Sequence, residues 1–162
     1  MGKADPGAAL GLGFAYSGQM AIRPGRAGLS AARDRVRRVA ADVGIPGDAA
    51  ADLLLAVGEA LSNAYRHGTP DPQANLIYLG WRFAEEVVTI TVRDEGRGFT
   101  PREAAARKAR SATSHGHGLH LMRQGVDEVY FEFDGGARVT LRRRVSGVSS
   151  AFRARDASLR SA

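Results

Sequence analysis

Cysteine is absent from this 162-residue chain. That excludes a disulfide framework and any thiolate metal site, and it leaves the redox compartment open. No apolar run approaches the roughly 18 residues of a membrane span. The start, Met1-Gly-Lys-Ala-Asp-Pro6, lacks the order of a signal peptide, because Asp5 and Pro6 interrupt before Ala8–Phe14. These absences predict a cytoplasmic protein without membrane contact. Internal repeats are missing too. So are the Gly-x-x-x-x-Gly-Lys-Ser/Thr loop of the Walker type and the dinucleotide fingerprint of a strand followed by Gly-x-Gly-x-x-Gly.

The apolar fraction of 44% and charged fraction of 25% are those of an ordinary globular domain. The length suits one core of sheet and helices. Net charge is +6, which raises nucleic acid as a partner. The arginines are spread along the chain beside abundant Ala and Gly, as GC-rich coding produces. The densest clusters, Arg33/Arg35/Arg37/Arg38 and Arg142/Arg143/Arg144, have no interleaved aromatics for base stacking. No direct nucleic-acid contact is expected; an acidic protein partner fits better.

Residues 1–13 and the basic tail 146–162 are expected to be disordered, flanking one domain over 14–145. Within it, Phe14–Ile22 reads as a short strand stopped by Arg23-Pro-Gly. Ser30 is expected to cap a helix running to about Val43, with Val36, Val39, Ala40 and Val43 on its buried face. Gly44-Ile-Pro-Gly breaks it, and Asp48 opens a longer helix. In that helix Leu53, Val57, Ala60, Leu61 and Ala64 form the apolar face, and Gly68-Thr-Pro stops it. Leu76–Phe83 and Val87–Arg93 read as a hairpin turning at Ala84-Glu-Glu. Thr100–Ser114 is a weak helix or a lid, Gly118–Gln124 a short helix, and Val129–Phe133 with Ala137–Arg143 a closing hairpin around Asp134-Gly-Gly.

Three groups of residues carry chemistry. Glu59 and Asn63 are four apart and therefore stacked on one side of a helix, with Arg66 and His67 one turn on. They offer a proton acceptor and a neutral oxygen ligand, and a single Asn can suffice for magnesium, which keeps most of its waters. By itself Glu-x-x-x-Asn is also common on solvated helix faces. Second, strand alternation puts Val88, Ile90, Val92 and then Asp94 on one face, so Asp94 ends its strand aimed at the core. A carboxylate there is costly unless a donor meets it; the exocyclic amine of adenine would serve. In Asp94-Glu-Gly-Arg-Gly-Phe99 the glycines let a ligand come close to the backbone. Third, Ser114-His-Gly-His-Gly-Leu119 opens a helix, where free amides and the helix dipole suit a phosphate. His115, His117 and His120 promise only incidental zinc or nickel affinity.

The order and spacing of these three groups, with Glu59-Ala-Leu-Ser-Asn63-Ala-x-x-His67-Gly on the long helix, resemble the GHKL or Bergerat superfamily. That superfamily comprises gyrase, sensor histidine kinases and mismatch-repair ATPases. Within it the short single domain looks like the anti-sigma-factor serine/threonine kinases. The resemblance covers about Met20–Arg143. It implies a two-layer α+β sandwich, a mixed, mostly antiparallel sheet with helices on one face, and ATP between helix and lid. Residue by residue it implies that Asn63 coordinates magnesium, Glu59 is the general base, and Asp94 accepts from adenine. Gly96 and Gly98 shape the adenine pocket, Gly116 and Gly118 lie at the phosphates, and His67, Phe99, His117 and Leu119 complete the nucleotide set.

Family members often carry an arginine just before the third motif; Ser114 stands there, and Arg110 or Arg107 is the expected substitute. The implied activity is phosphorylation of an anti-anti-sigma protein and sequestration of a sigma factor, by a protein that is commonly a homodimer. The alternatives are a non-catalytic ATP-binding module that sequesters a regulator, or a switch kinase that activates a phosphatase.

Overall fold

The computed structural model describes residues 16–97 and 117–146, with the backbone alone for 117–119. Strand β1 (Tyr16–Ile22) leads through a Pro-Gly turn to helix α1 (Arg26–Val43) and helix α2 (Gly47–His67). Strands β2 (Ile77–Ala84) and β3 (Val87–Asp94) follow, then helix α3 (His117–Gly125), β4 (Glu128–Phe133) and β5 (Ala137–Arg144). The described strands form one five-stranded sheet in the order β1-β2-β3-β5-β4. Every pair in it is antiparallel, so the parallel component of the expected mixed sheet does not occur among the described residues.

Helix α1 begins four residues earlier than Ser30. Its N-cap is Gly25, without a side-chain cap bond, and the Leu29 amide already donates to the Gly25 carbonyl at 3.0 Å. The Arg23-Pro-Gly turn launches the helix directly, so Ser30 lies inside it. The far end behaves as its sequence suggests: Gly44 adopts the left-handed conformation (φ 81°) and closes the helix. Helix α2 starts at Gly47 with Asp48 in its first turn, where a carboxylate complements the positive helix end. The β2–β3 turn is Glu85-Glu86, both at positive φ (52° and 59°). That is the two-residue geometry matching strand twist, adopted here without Asn or Gly.

The core lies between the inner face of the sheet and the helices. Val36, Val39 and Val43 of α1 and Leu53, Val57 and Leu61 of α2 are fully buried, as are Leu79, Ile90 and Leu141 of the sheet. Helix α3 packs on α2 and buries Met122. Arg143 points inward from β5, and its guanidinium donates to the Gly125 carbonyl at 2.6 Å, satisfying the C-terminal end of α3. Neighbouring Arg142 bonds Glu128 at 2.8 Å, so this basic cluster serves the fold. In the other cluster Arg37 pairs with Asp34, and Arg35 lies over the Trp81 ring at 5.1 Å.

The start of β2 and the end of β3 are tied together by Glu95. Its Oε1 accepts the Tyr78 hydroxyl at 2.7 Å and its Oε2 the Leu76 amide at 2.8 Å. The hydroxyl bond, then the amide, hold the Glu95 carboxyl below its ordinary value of 4.5, while the same bond raises the Tyr78 phenol. A depressed carboxyl contributes stability that is present above the unfolded value and is lost as pH falls through the folded one. A raised phenol contributes below about pH 10 and loses its share as pH rises further. Thermal melts should therefore show Tyr78→Phe less stable than the native chain by a constant margin between about pH 6 and 9. The margin should narrow below the carboxylate range, and a margin unchanged at pH 3 would show that the tie contributes nothing.

Candidate functional site

The C-terminal end of α2 and the end of β3 meet under the β4–β5 turn, and the residues of interest gather there. Asp94 pairs with Ile77 in the sheet and, as the alternation predicts, faces the helices; it is 4% exposed. The donor that burial demands is supplied twice by the protein. The Gly96 amide and the Ala137 amide each donate to Oδ1 at 3.0 Å. The Gly96 bond is local, within two residues. The Ala137 bond spans 43 residues and exists because β5 lies beside β3, which no local pattern announces.

Around this carboxylate the backbone comes too close for side chains. A β-carbon on Gly68 would lie 2.0 Å from Asp94 Cγ, and one on Gly96 would lie 2.8 Å from Gly68 Cα. One on Gly136 would lie 2.2 Å from the Asp94 carbonyl oxygen. Gly68 was expected only as a helix stop. Its φ is −106°, a conformation open to any residue, so the requirement for glycine is one of space and not of backbone freedom. Gly96, expected beside a ligand, lies here against the Gly68 backbone, and Gly136 had been read only as part of a turn. Thr69 is buried beside Gly68, its hydroxyl donating to the Tyr65 carbonyl at 2.8 Å.

One to two turns back along α2 stand Asn63 and Glu59, both half-buried at the margin of the apolar face formed by Val57, Ala60, Leu61 and Ala64. A carboxamide oxygen and a carboxylate there form a donor set that suits magnesium, a hard ion that prefers oxygen. His67 is in the last turn and exposed. His117, Gly118 and Leu119 form the first turn of α3, so the backbone of the third motif opens a helix as expected. Gly98, Phe99, Arg107, Arg110, Ser114 and Gly116 lie outside the described residues, as does His115. Among the described residues no helix is long and apolar enough to cross a membrane.

The contact at Gly68 yields a stability test. Gly68→Ala should cost roughly 2–4 kcal/mol in urea unfolding, because the clash is with a strand end and a buried carboxylate. Gly47→Ala is the control: open space surrounds its β-carbon, so it should be neutral or stabilising by up to about 1 kcal/mol.

Residues 23–143 match the family described as the histidine kinase-like ATPase domain. The chain is similar to the anti-sigma F factor of two Clostridium perfringens strains, 28% identical over 101 residues, which is 59% of this chain and 72% of each relative. The protein of that name from a third strain, SM101, is 27% identical over the same length. Among solved structures, the histidine kinase domain of a blue-light activated histidine kinase from Erythrobacter litoralis superposes with a TM-score of 0.51 at 20% identity. That match covers 75% of this chain, and the chain spans 61% of the Erythrobacter structure, a likeness of fold alone. With the matched family model extending over most of its length, this chain belongs to the histidine kinase-like ATPase domain family, within the GHKL superfamily that its three motifs resemble.

Proposed function

We propose that the protein is a magnesium- and ATP-dependent serine/threonine protein kinase that phosphorylates an anti-anti-sigma protein and sequesters a sigma factor. ATP binding follows from the family. The finer reading rests on the likeness to anti-sigma F factors and on one observation above all. Asp94 is held rigid and buried by two amides on a single oxygen, at the foot of the helix that carries Glu59 and Asn63.

In this reading the remaining acceptor capacity of Asp94 takes the adenine amine, and the missing β-carbons of Gly68 and Gly96 give the base its room. Asn63 would hold the metal, which when bound offsets charge on the phosphates. The amides opening α3 would lie at the phosphates. Glu59 accepts the proton of the partner's serine or threonine hydroxyl as its oxygen bonds the terminal phosphorus and the bond from that phosphorus to ADP breaks. Arg110 is the cation proposed to meet the charge developing on the transferred group. Such interactions raise the rate only where they are stronger in the transition state.

Asp94→Asn should weaken ATP binding by about ten- to a hundredfold in calorimetry, since the amide sets a donor against a donor. Equal affinity in both forms would remove the adenine assignment.

Phosphate transfer from terminally labelled ATP to anti-anti-sigma proteins tests the activity itself. Glu59→Gln should keep nucleotide affinity and lose transfer, whereas Asn63→Ala should lose the magnesium dependence of binding. Arg110→Ala should slow transfer by about tenfold or more at nearly unchanged affinity. An absence of transfer from the native chain, together with tight sigma-factor binding, would instead indicate a sequestering module.

A further inference from the structure

Helix α3 opens with the amides assigned above to the phosphates, yet its described anchors lie toward its other end. Met122, Gly125 and Val126 are buried, whereas His120 and Arg123 are exposed. A β-carbon on Gly125 would lie 2.3 Å from the Asp52 carbonyl oxygen and 3.1 Å from Ala56 Cβ, so the end of α3 is pressed onto the first half of α2. The half-buried side chain of Arg143 reaches this contact from β5. Its guanidinium donates to the Gly125 carbonyl at 2.6 Å and stands 3.9 Å from the Asp52 carboxylate. A carbonyl at a helix C-terminus has no partner within the helix, and a cation there also meets the negative end of the helix dipole.

The junction after α3 is tied to β5 separately. The Asp127 amide donates to the Arg142 carbonyl at 2.9 Å, and the Arg144 amide donates to Asp127 Oδ2 at 2.6 Å. The chain is thus attached there without the Arg143 side chain. What the guanidinium adds is a fixed angle and offset of α3 against α2.

We propose that Arg143 is a positioning residue for the triphosphate. By fixing where α3 ends on α2, it fixes where the amides opening α3 stand relative to Asn63 and Glu59. The proposal rests on the reading that those amides take the phosphates. The lever is long enough to matter. Helix α3 spans nine residues, His117–Gly125, so its ends are about 12 Å apart. A turn of roughly 10° about the Gly125 end would carry the first amides about 2 Å, out of hydrogen-bond range of a bound phosphate. The adenine end of the site is built by Asp94, Gly68 and Gly96 at the far end of α2, so binding of the base reports on the rest of the fold.

Calorimetric titration of the full chain with ATP and, separately, with adenosine, both with magnesium, tests this. The native chain should bind ATP more tightly than adenosine. Arg143→Met keeps the stem and removes the donor; it should weaken ATP by about tenfold or more and leave adenosine within about twofold. Gly125→Ala, which pushes α3 off the Asp52 backbone without touching the arginine, should show the same selective loss. A merely structural role for Arg143 would lower both affinities together, or the melting temperature alone. Either result would overturn the proposal. A native chain that binds adenosine as tightly as ATP would remove the phosphate reading of α3 and the proposal with it, whereas a native preference for ATP kept in Arg143→Met would remove the proposal alone. Should Arg143→Met fail to fold, Arg143→Lys decides. Its shorter stem and single point charge should weaken ATP by about threefold or more at constant adenosine affinity, and native-like ATP binding there would overturn the proposal.

Discussion

Helix α2 ends against the last residue of β3 at a distance that leaves no volume for a β-carbon. Gly68 sits there because Asp94 is behind it, and Gly96 sits there because Gly68 is behind that. The contact fixes how far the helix can slide along the sheet. It thereby fixes where Asn63 and Glu59, about one and two turns earlier, stand relative to the strand end. It also closes Asp94 off from water, which makes its two amide donors obligatory, since a buried carboxylate without partners is very costly. One steric requirement thus decides the helix-to-sheet offset, the burial of the carboxylate and the bonds that hold it.

Those bonds recruit parts of the chain remote in sequence. Ala137 donates because the β4–β5 turn folds over the end of β3, and Gly136 allows that turn to come within contact of the Asp94 backbone. Glu95, next along, secures the entry to β2 through Tyr78 and Leu76. The strand end is thereby held from three directions before any ligand arrives. Such preorganisation is what lets hydrogen-bonding groups discriminate between ligands without first having to be ordered.

The arginines follow a similar division of labour. Two in the β5 cluster are engaged internally: Arg142 with Glu128, and Arg143 at the end of α3. Arg143 also lies 3.9 Å from Asp52, so one inward cation links β5, α3 and the first half of α2. On α1, Arg35 covers Trp81, leaving Arg33 and Arg38 exposed on that helix. A net charge of +6 therefore overstates the free positive surface, and composition alone is a poor guide to partners where side chains are spent on helix ends and aromatic rings.

What the sequence by itself determined is what depends on neighbours in the chain. Helical spacing identified Leu53, Val57, Ala60, Leu61 and Ala64 as buried, and they are. Strand alternation aimed Asp94 inward, and the i to i+4 rule stacked Glu59 on Asn63. Both follow from the fixed periods of helix and strand. The start of α1 was misplaced, because a serine competent to cap lies four residues inside a helix that a Pro-Gly turn had already begun. Only the tertiary structure decided the rest. It assigned Gly68 to close packing instead of chain reversal, made Gly136 and Ala137 part of the Asp94 environment, and gave Glu95 its partners across the hairpin. These are contacts between elements, set by the strand order β1-β2-β3-β5-β4 and the helix-to-sheet offset. A local pattern records which way a side chain points and carries no information about what it will meet there.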